Sequence, residues 1–190
     1  MSIEKISEIY PGLLFAVKSS ASDAYNEGLD RLTDLDYLVD FMTKNASYLD
    51  NDVWKAAGFS STDPYKAAEY VLKEAYDIDD AIITRCENVD AGKSPDLDSM
   101  FYYLDGQYKD MVELTPMKAY GGNSPAFIRL YALKIDRNCY LVIHMGIKLA
   151  KRISESPELK DEVIKRLDQS IRYLKEKGII DREGLKEDSQ

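Results

Sequence analysis

The stretch FIRLYALKIDRNCYLVIHMGIKLAKR, residues 127–152, leaves this chain its fewest folding options. Two apolar runs flank the short polar turn Asp136-Arg137-Asn138. Successive side chains of a strand point to opposite faces. Ile128, Leu130 and Ala132 then share one face, and Phe127, Arg129 and Tyr131 the other. In the second run Leu141, Ile143 and Met145 make an apolar face, opposed by Tyr140, Val142, His144 and Gly146. The spacing predicts an antiparallel hairpin with one face on a core and one partly open. The open face would carry Arg129, Tyr131 and His144.

Most of the remaining sequence repeats at helical spacing. DAYNEGLDRL and TDLDYLVDFMTKNASYL predict two helices, the second with Thr33 or Asp34 as N-cap before Leu35, Leu38, Val39 and Met42. A single helical turn is expected around Trp54. The long segment STDPYKAAEYVLKEAYDIDDAIITRCENV opens with Ser and Thr caps and has Pro64 near its first turn. LDSMFYYLDG predicts a short helix. A terminal helix starts at Ser156 and Pro157, carries Leu159, Val163, Leu167, Ile171 and Leu174, and ends at Gly178. Leu13 to Lys18 predicts an early strand, and MVELTPMKAYGGNSP a strand fragment and loop. The expected class is therefore α+β: a small antiparallel sheet with the C-terminal β-hairpin and flanking helices, plus a mainly helical N-terminal part. Residues 1–110 are read as the acidic helical part packed with the early strand. Residues 111–190 are read as the sheet and C-terminal helix, the two forming one compact unit.

Charge is unevenly spread along the chain. Residues 1–110 hold 10 Lys and Arg against 22 Asp and Glu, whereas residues 111–190 hold 15 against 12. Between residues 118 and 152 seven basic residues meet only one acidic residue, Asp136. The net charge of −9 argues against bulk coating of nucleic acid, but a local basic patch still holds a phosphate backbone. Opposite charges attract within a Debye length of about 8 Å, so the acidic part is expected to shield the basic face. The first residues lack a secretory pattern and no apolar run spans a bilayer, so a cytoplasmic, membrane-free protein is expected. Cys86 and Cys139 are expected as buried free thiols.

Catalytic signatures of the common kinds are missing. The single histidine gives no HExxH, GGNSP lacks the lysine of a phosphate loop, and DIDD lacks the ligand spacing of a calcium loop, so no metal and no cofactor are expected. The basic constellation carries more. Arg129 and Tyr131 share a strand face, and Lys148, Lys151 and Arg152 follow the second strand. Such cations neutralise phosphates while Tyr131 or Tyr140 stacks a base, the division of labour used on single-stranded RNA. His144, with an ordinary pKa near 6.5, is a candidate proton donor. The plainer alternative makes the lysines solubilising residues, pairs Arg129 with an acidic residue of the N-terminal part, and makes His144 a half-buried, hydrogen-bonded residue.

The segment RLYALKIDRNCYLVIHMGIKLAKRI resembles the C-terminal hairpin of RelE/HigB-like toxins of type II toxin–antitoxin modules. The elements carrying the likeness are Arg129-Leu130-Tyr131, the turn at 136–138, Leu141 to Ile143, Gly146 and Lys148. The whole chain also resembles a group of Bacteroidetes proteins that share this hairpin and carry an acidic helical N-terminal extension. The resemblance implies a protein that binds mRNA, often on the ribosome, and cleaves it as a metal-independent endoribonuclease. Basic residues would then stabilise the charge that builds as a ribose 2′-hydroxyl attacks phosphorus. It assigns catalysis to Arg129 and Lys148 and weaker phosphate contacts to Lys151 and Arg152, while His144 as proton donor and Tyr131 and Tyr140 as RNA contacts rest on the residue pattern alone. A helix-turn-helix antitoxin is the implied partner. The family's KK-x-x-K-T-P stretch is KLAKRIS in this chain, with Leu149 replacing a lysine, and no Tyr or His follows the last predicted helix. These departures admit an inactive relative, and a non-enzymatic protein-interaction module on the same scaffold is the alternative.

Overall fold

The computed structural model describes residues 3–19, 21–104, 115–120 and 125–190. Its strands are β1 (Lys5–Tyr10), β2 (Leu14–Lys18), β3 (Phe101–Tyr103), β4 (Thr115–Ala119), β5 (Ile128–Asp136) and β6 (Cys139–Ile147). They form one sheet in the order β1-β2-β6-β5-β4-β3. All neighbours are antiparallel except β2 and β6, which run parallel from Leu14↔Tyr140 to Ala16↔Val142. The class is α+β. The sheet is mixed, and larger than the small antiparallel one expected, because β1 and β2 join the hairpin from the far end of the sequence.

Helices α1 (Ala24–Leu32), α2 (Leu35–Lys44), α3 (Asp52–Ala56) and α4 (Pro64–Asp90) pack on one side of the sheet, with Leu14, Ala16, Leu130, Ala132 and Val142 beneath them. On the other side α5 (Pro157–Lys177) and α6 (Arg182–Ser189) cover Phe15, Val17, Leu133, Leu141 and Ile143. Side-chain oxygens accept orphan N–H groups at the helix starts: Asp23 from Tyr25 and Asn26, Asp34 from Tyr37, and Asp63 from Lys66. Gly178 ends α5 at φ +67°, where a Cβ would be strained. Trp54 in α3 is fully buried; its ring stacks on Phe127 at 3.6 Å and its indole N–H donates to the Leu149 carbonyl.

The hairpin forms where the alternation predicts it, turning at Arg137-Asn138, with Asn138 in the left-handed region at φ +51°. Its two-sidedness differs from expectation. Every residue of β6 is buried, since helices cover both faces. That explains the nearly unbroken apolar run, the signature of a strand with no wet side. Tyr131 pairs with His144 but Ala132 with Val142, so Ile143 is the extra residue of a β-bulge. The bulge breaks the expected Leu141-Ile143-Met145 face: Leu141 and Ile143 lie under α5, while Met145 joins the core on the α1 side.

Three further segments depart from the sequence reading. LDSMFYYLDG was expected as a helix; instead Leu97–Met100 make one 3-10 turn and Phe101–Tyr103 pair with β4. Consecutive aromatics fit a pleated surface better than a helix interior. Residues 105 and 106 of that segment, and 111–114 and 121–124 of the strand-and-loop segment, lie outside the described residues. The periodicity missed β1, whose Ile6 and Ile9 are three apart rather than two, and α6, whose one aliphatic residue is Leu185.

Candidate nucleic-acid interface

Strand register gathers the aromatic and basic residues into a row. Tyr102 on β3 pairs with Lys118 on β4, Lys118 with Tyr131 on β5, and Tyr131 with His144 on β6. All four belong to the α5 side of the sheet. Tyr102 is 54% exposed and Lys118 half-buried, whereas Tyr131 and His144 are each 1% exposed. The open end of the row is thus the β3–β4 end. The buried end is where α5 crosses β6.

Beside this row lies a second one. Tyr120 follows Lys118 on the same side, and Arg129 precedes Tyr131. The Arg129 guanidinium sits 4.1 Å from the centre of the Tyr120 ring, and the Tyr102 ring is 5.4 Å from Tyr120 at 49°. Lys118 Nζ lies 6.0 Å from the same ring. Arg129 Nη1 also donates to the carbonyls of Ala126 and Ile128, at 2.9 and 2.8 Å. Burial lowers the Arg129 pKa, and the nearby Tyr120, Tyr131 and Glu74 act against that shift.

Glu74 fixes where this second row begins. It is fully buried on α4, and its carboxylate accepts the Phe127 N–H on both oxygens, at 2.8 and 2.9 Å, and the Ile128 N–H at 2.9 Å. Those two amides open β5. Burial pushes the Glu74 pKa up to about 7, against the pull of the backbone amides and of Arg129.

At the buried end, burial pushes the His144 pKa down to about 3, helped by the positive charges of Arg166 and Arg31. The imidazole is therefore neutral at neutral pH. Neither ring nitrogen has a hydrogen-bond partner among the described residues. β2 stops pairing with β6 at Val142, and Arg31 Nη2 takes the Met145 carbonyl while Nη1 bridges to Glu158 on α5 at 2.7 Å. Gly146 makes this crossing possible. A Cβ there would stand 2.9 Å from Leu159 Cδ2 and 3.0 Å from His144 Nε2.

The structure separates the residues singled out from sequence. Arg129 lies on the half-buried rim, Lys148 is half-buried just past β6, and Lys151 and Arg152 are exposed. The open face expected for Tyr131 and His144 is instead covered. Tyr140 lies on the opposite side, stacked on Phe101 at 3.8 Å with its hydroxyl donating to Asp98. No stacking surface is open at either Tyr131 or Tyr140. Cys86 and Cys139 are buried free thiols, raised by burial to about 12 and 11. Helices α1–α4 pack behind the rim, on the side of the sheet opposite Lys118 and Arg129.

Sequence reasoning overlooked Tyr102, Lys118, Tyr120 and Glu74. The alternation of buried Met117 and Ala119 with Lys118 and Tyr120 was a strand signal within TPMKAY. Glu74 falls at helical spacing between buried Val71 and Ile78, a carboxylate set in an apolar stripe. Among the described residues no cluster of three or more His, Cys, Asp or Glu suits a metal, and no helix is long and apolar enough to cross a membrane. No protein-family model, curated protein or solved structure matches this chain.

Proposed function

We propose that this chain is a non-cleaving relative of RelE/HigB-like toxins that binds mRNA in the cytoplasm through the rim of its sheet. The supporting observation is the clustering of Lys118, Tyr120 and Arg129 on one rim, with Arg129 carried by the hairpin that bears the family likeness. Lys148 follows directly: its N–H donates to the Phe127 carbonyl, two residues before Arg129. Cations beside aromatic rings suit single-stranded RNA. Against cleavage stands His144, which is buried and neutral and so offers no proton to a leaving oxygen.

Fluorescence anisotropy of the full chain with a labelled RNA decamer at low salt tests the reading, alongside expression in a growing host. Binding is expected, weakened about tenfold or more in a folded Lys118→Ala, Lys148→Ala variant, with no growth arrest. Failure of the intact protein to bind the decamer overturns the RNA reading. Growth arrest abolished by His144→Gln overturns the non-cleaving part.

Protein interaction is the second reading, favoured by Tyr102 and Tyr103, 54% and 63% exposed on the last strand of the sheet. A stoichiometric protein partner on native purification, with no RNA retained, would select it.

A further inference from the structure

We propose that Tyr102, braced by Tyr120, is a base-stacking subsite for single-stranded nucleic acid, with Lys118 and Arg129 holding the adjoining phosphates. The inference rests on the RNA reading above and deepens it. One side of Tyr120 is taken up by the Arg129 guanidinium at 4.1 Å, and its ring touches Tyr102 at 5.4 Å. Tyr120 is thus held between two neighbours, and Tyr102 supplies the open ring. A tyrosine more than half exposed keeps apolar ring surface in water, an arrangement that a stacked base relieves. The cations are set at the platform's edge: Lys118 is the cross-strand partner of Tyr102 and reaches toward Tyr120, and Arg129 sits on the same Tyr120 ring.

This chemistry selects single strands. A duplex hides its base faces in the stack, so a ring on a sheet edge cannot reach them. The subsite tolerates any base, since every base has a π-face, and it discriminates by strandedness rather than by sequence. Tyr103, the next residue, pairs with Met117 and points to the opposite side of the sheet, which makes it a control within the same strand.

The test uses the full chain with Tyr102→Trp, Tyr102→Ala and Tyr103→Ala. The probes are an oligouridine decamer, an oligothymidine decamer, an RNA duplex of equal length and inorganic polyphosphate. Trp54 is fully buried, so the added emission of Tyr102→Trp reports the new ring. Quenching is expected with both decamers and not with polyphosphate. Tyr102→Ala is expected to weaken decamer binding roughly tenfold, leaving polyphosphate binding and Tyr103→Ala unchanged. Decamer binding unaffected by Tyr102→Ala, or a duplex bound as tightly as a single strand, overturns the stacking subsite while leaving the RNA reading in place. An intact protein that binds neither decamer overturns both.

Discussion

Glu74 and His144 are two buried ionisable groups whose pKa values move in opposite directions, and each has a defined pH window. Glu74, raised to about 7, stabilises the fold fully below its unfolded value near 4.5 and loses that contribution as pH climbs through 7. His144, lowered to about 3, contributes fully above 6.5 and loses that contribution as pH falls through 3. Between about pH 4.5 and 6.5 the two slopes oppose one another. Guanidinium unfolding at several pH values separates them. Relative to the native chain, Glu74→Gln is expected to gain stability steadily from pH 4.5 to 7, by about 3 kcal/mol across the window. His144→Gln is expected to resist acid better than the native chain. A pH-independent difference for Glu74→Gln would show that the carboxylate stays ionised on its amides. Neither residue's role could be read from sequence. A helical Glu is ordinarily wet, and only the packing of α4 on the start of β5 reveals what Glu74 holds.

At the level of elements, the legible parts were those whose period is long and clean. The hairpin, α4 and α5 fall where alternation and helical spacing put them, and Pro64, Pro157 and Gly178 mark ends by their own backbone chemistry. The bulge at Ile143 was not legible, because one extra residue changes face assignment without changing composition. It reassigned Met145, and the helix laid over Gly146 closed the face that carries His144. β1 and α6 were missed together, and they depend on one another. Ile6 N–H and the Tyr173 hydroxyl both donate to Asp188, and Leu185 is fully buried. Removing residues 182–190 is expected to cost about 2–5 kcal/mol from the lost leucine burial and broken hydrogen bonds. It should also expose β1, the first strand of the sheet, and promote self-association. Denaturant titration and light scattering across concentration check both. A truncated chain that stays monomeric and equally stable would show that α6 only rests on the sheet.

Across the whole molecule, the acidic helices α1–α4 and the open rim lie on opposite sides of the sheet. Helices α1–α4 carry 12 Asp and Glu residues behind the sheet, while Lys118 and Arg129 stand on its other side. The acidic helices are therefore set behind the rim rather than laid over it. Binding of a single strand should depend on salt weakly and linearly. Three cations, Lys118, Arg129 and Lys148, give a slope of log affinity against log salt of about −2. A slope near zero in an anisotropy series would mean that phosphates are not engaged. The bond from Ile6 to Asp188 also bears on how the chain is threaded. It brings the first strand and the last helix side by side, while Ala91, Gly92 and Lys93 form an exposed turn between α4 and β3. A circular permutant closed by a short linker from Gln190 back to the residues before β1, and opened after Gly92, would keep every strand pairing described above. Only the order in which the two layers emerge during synthesis would change.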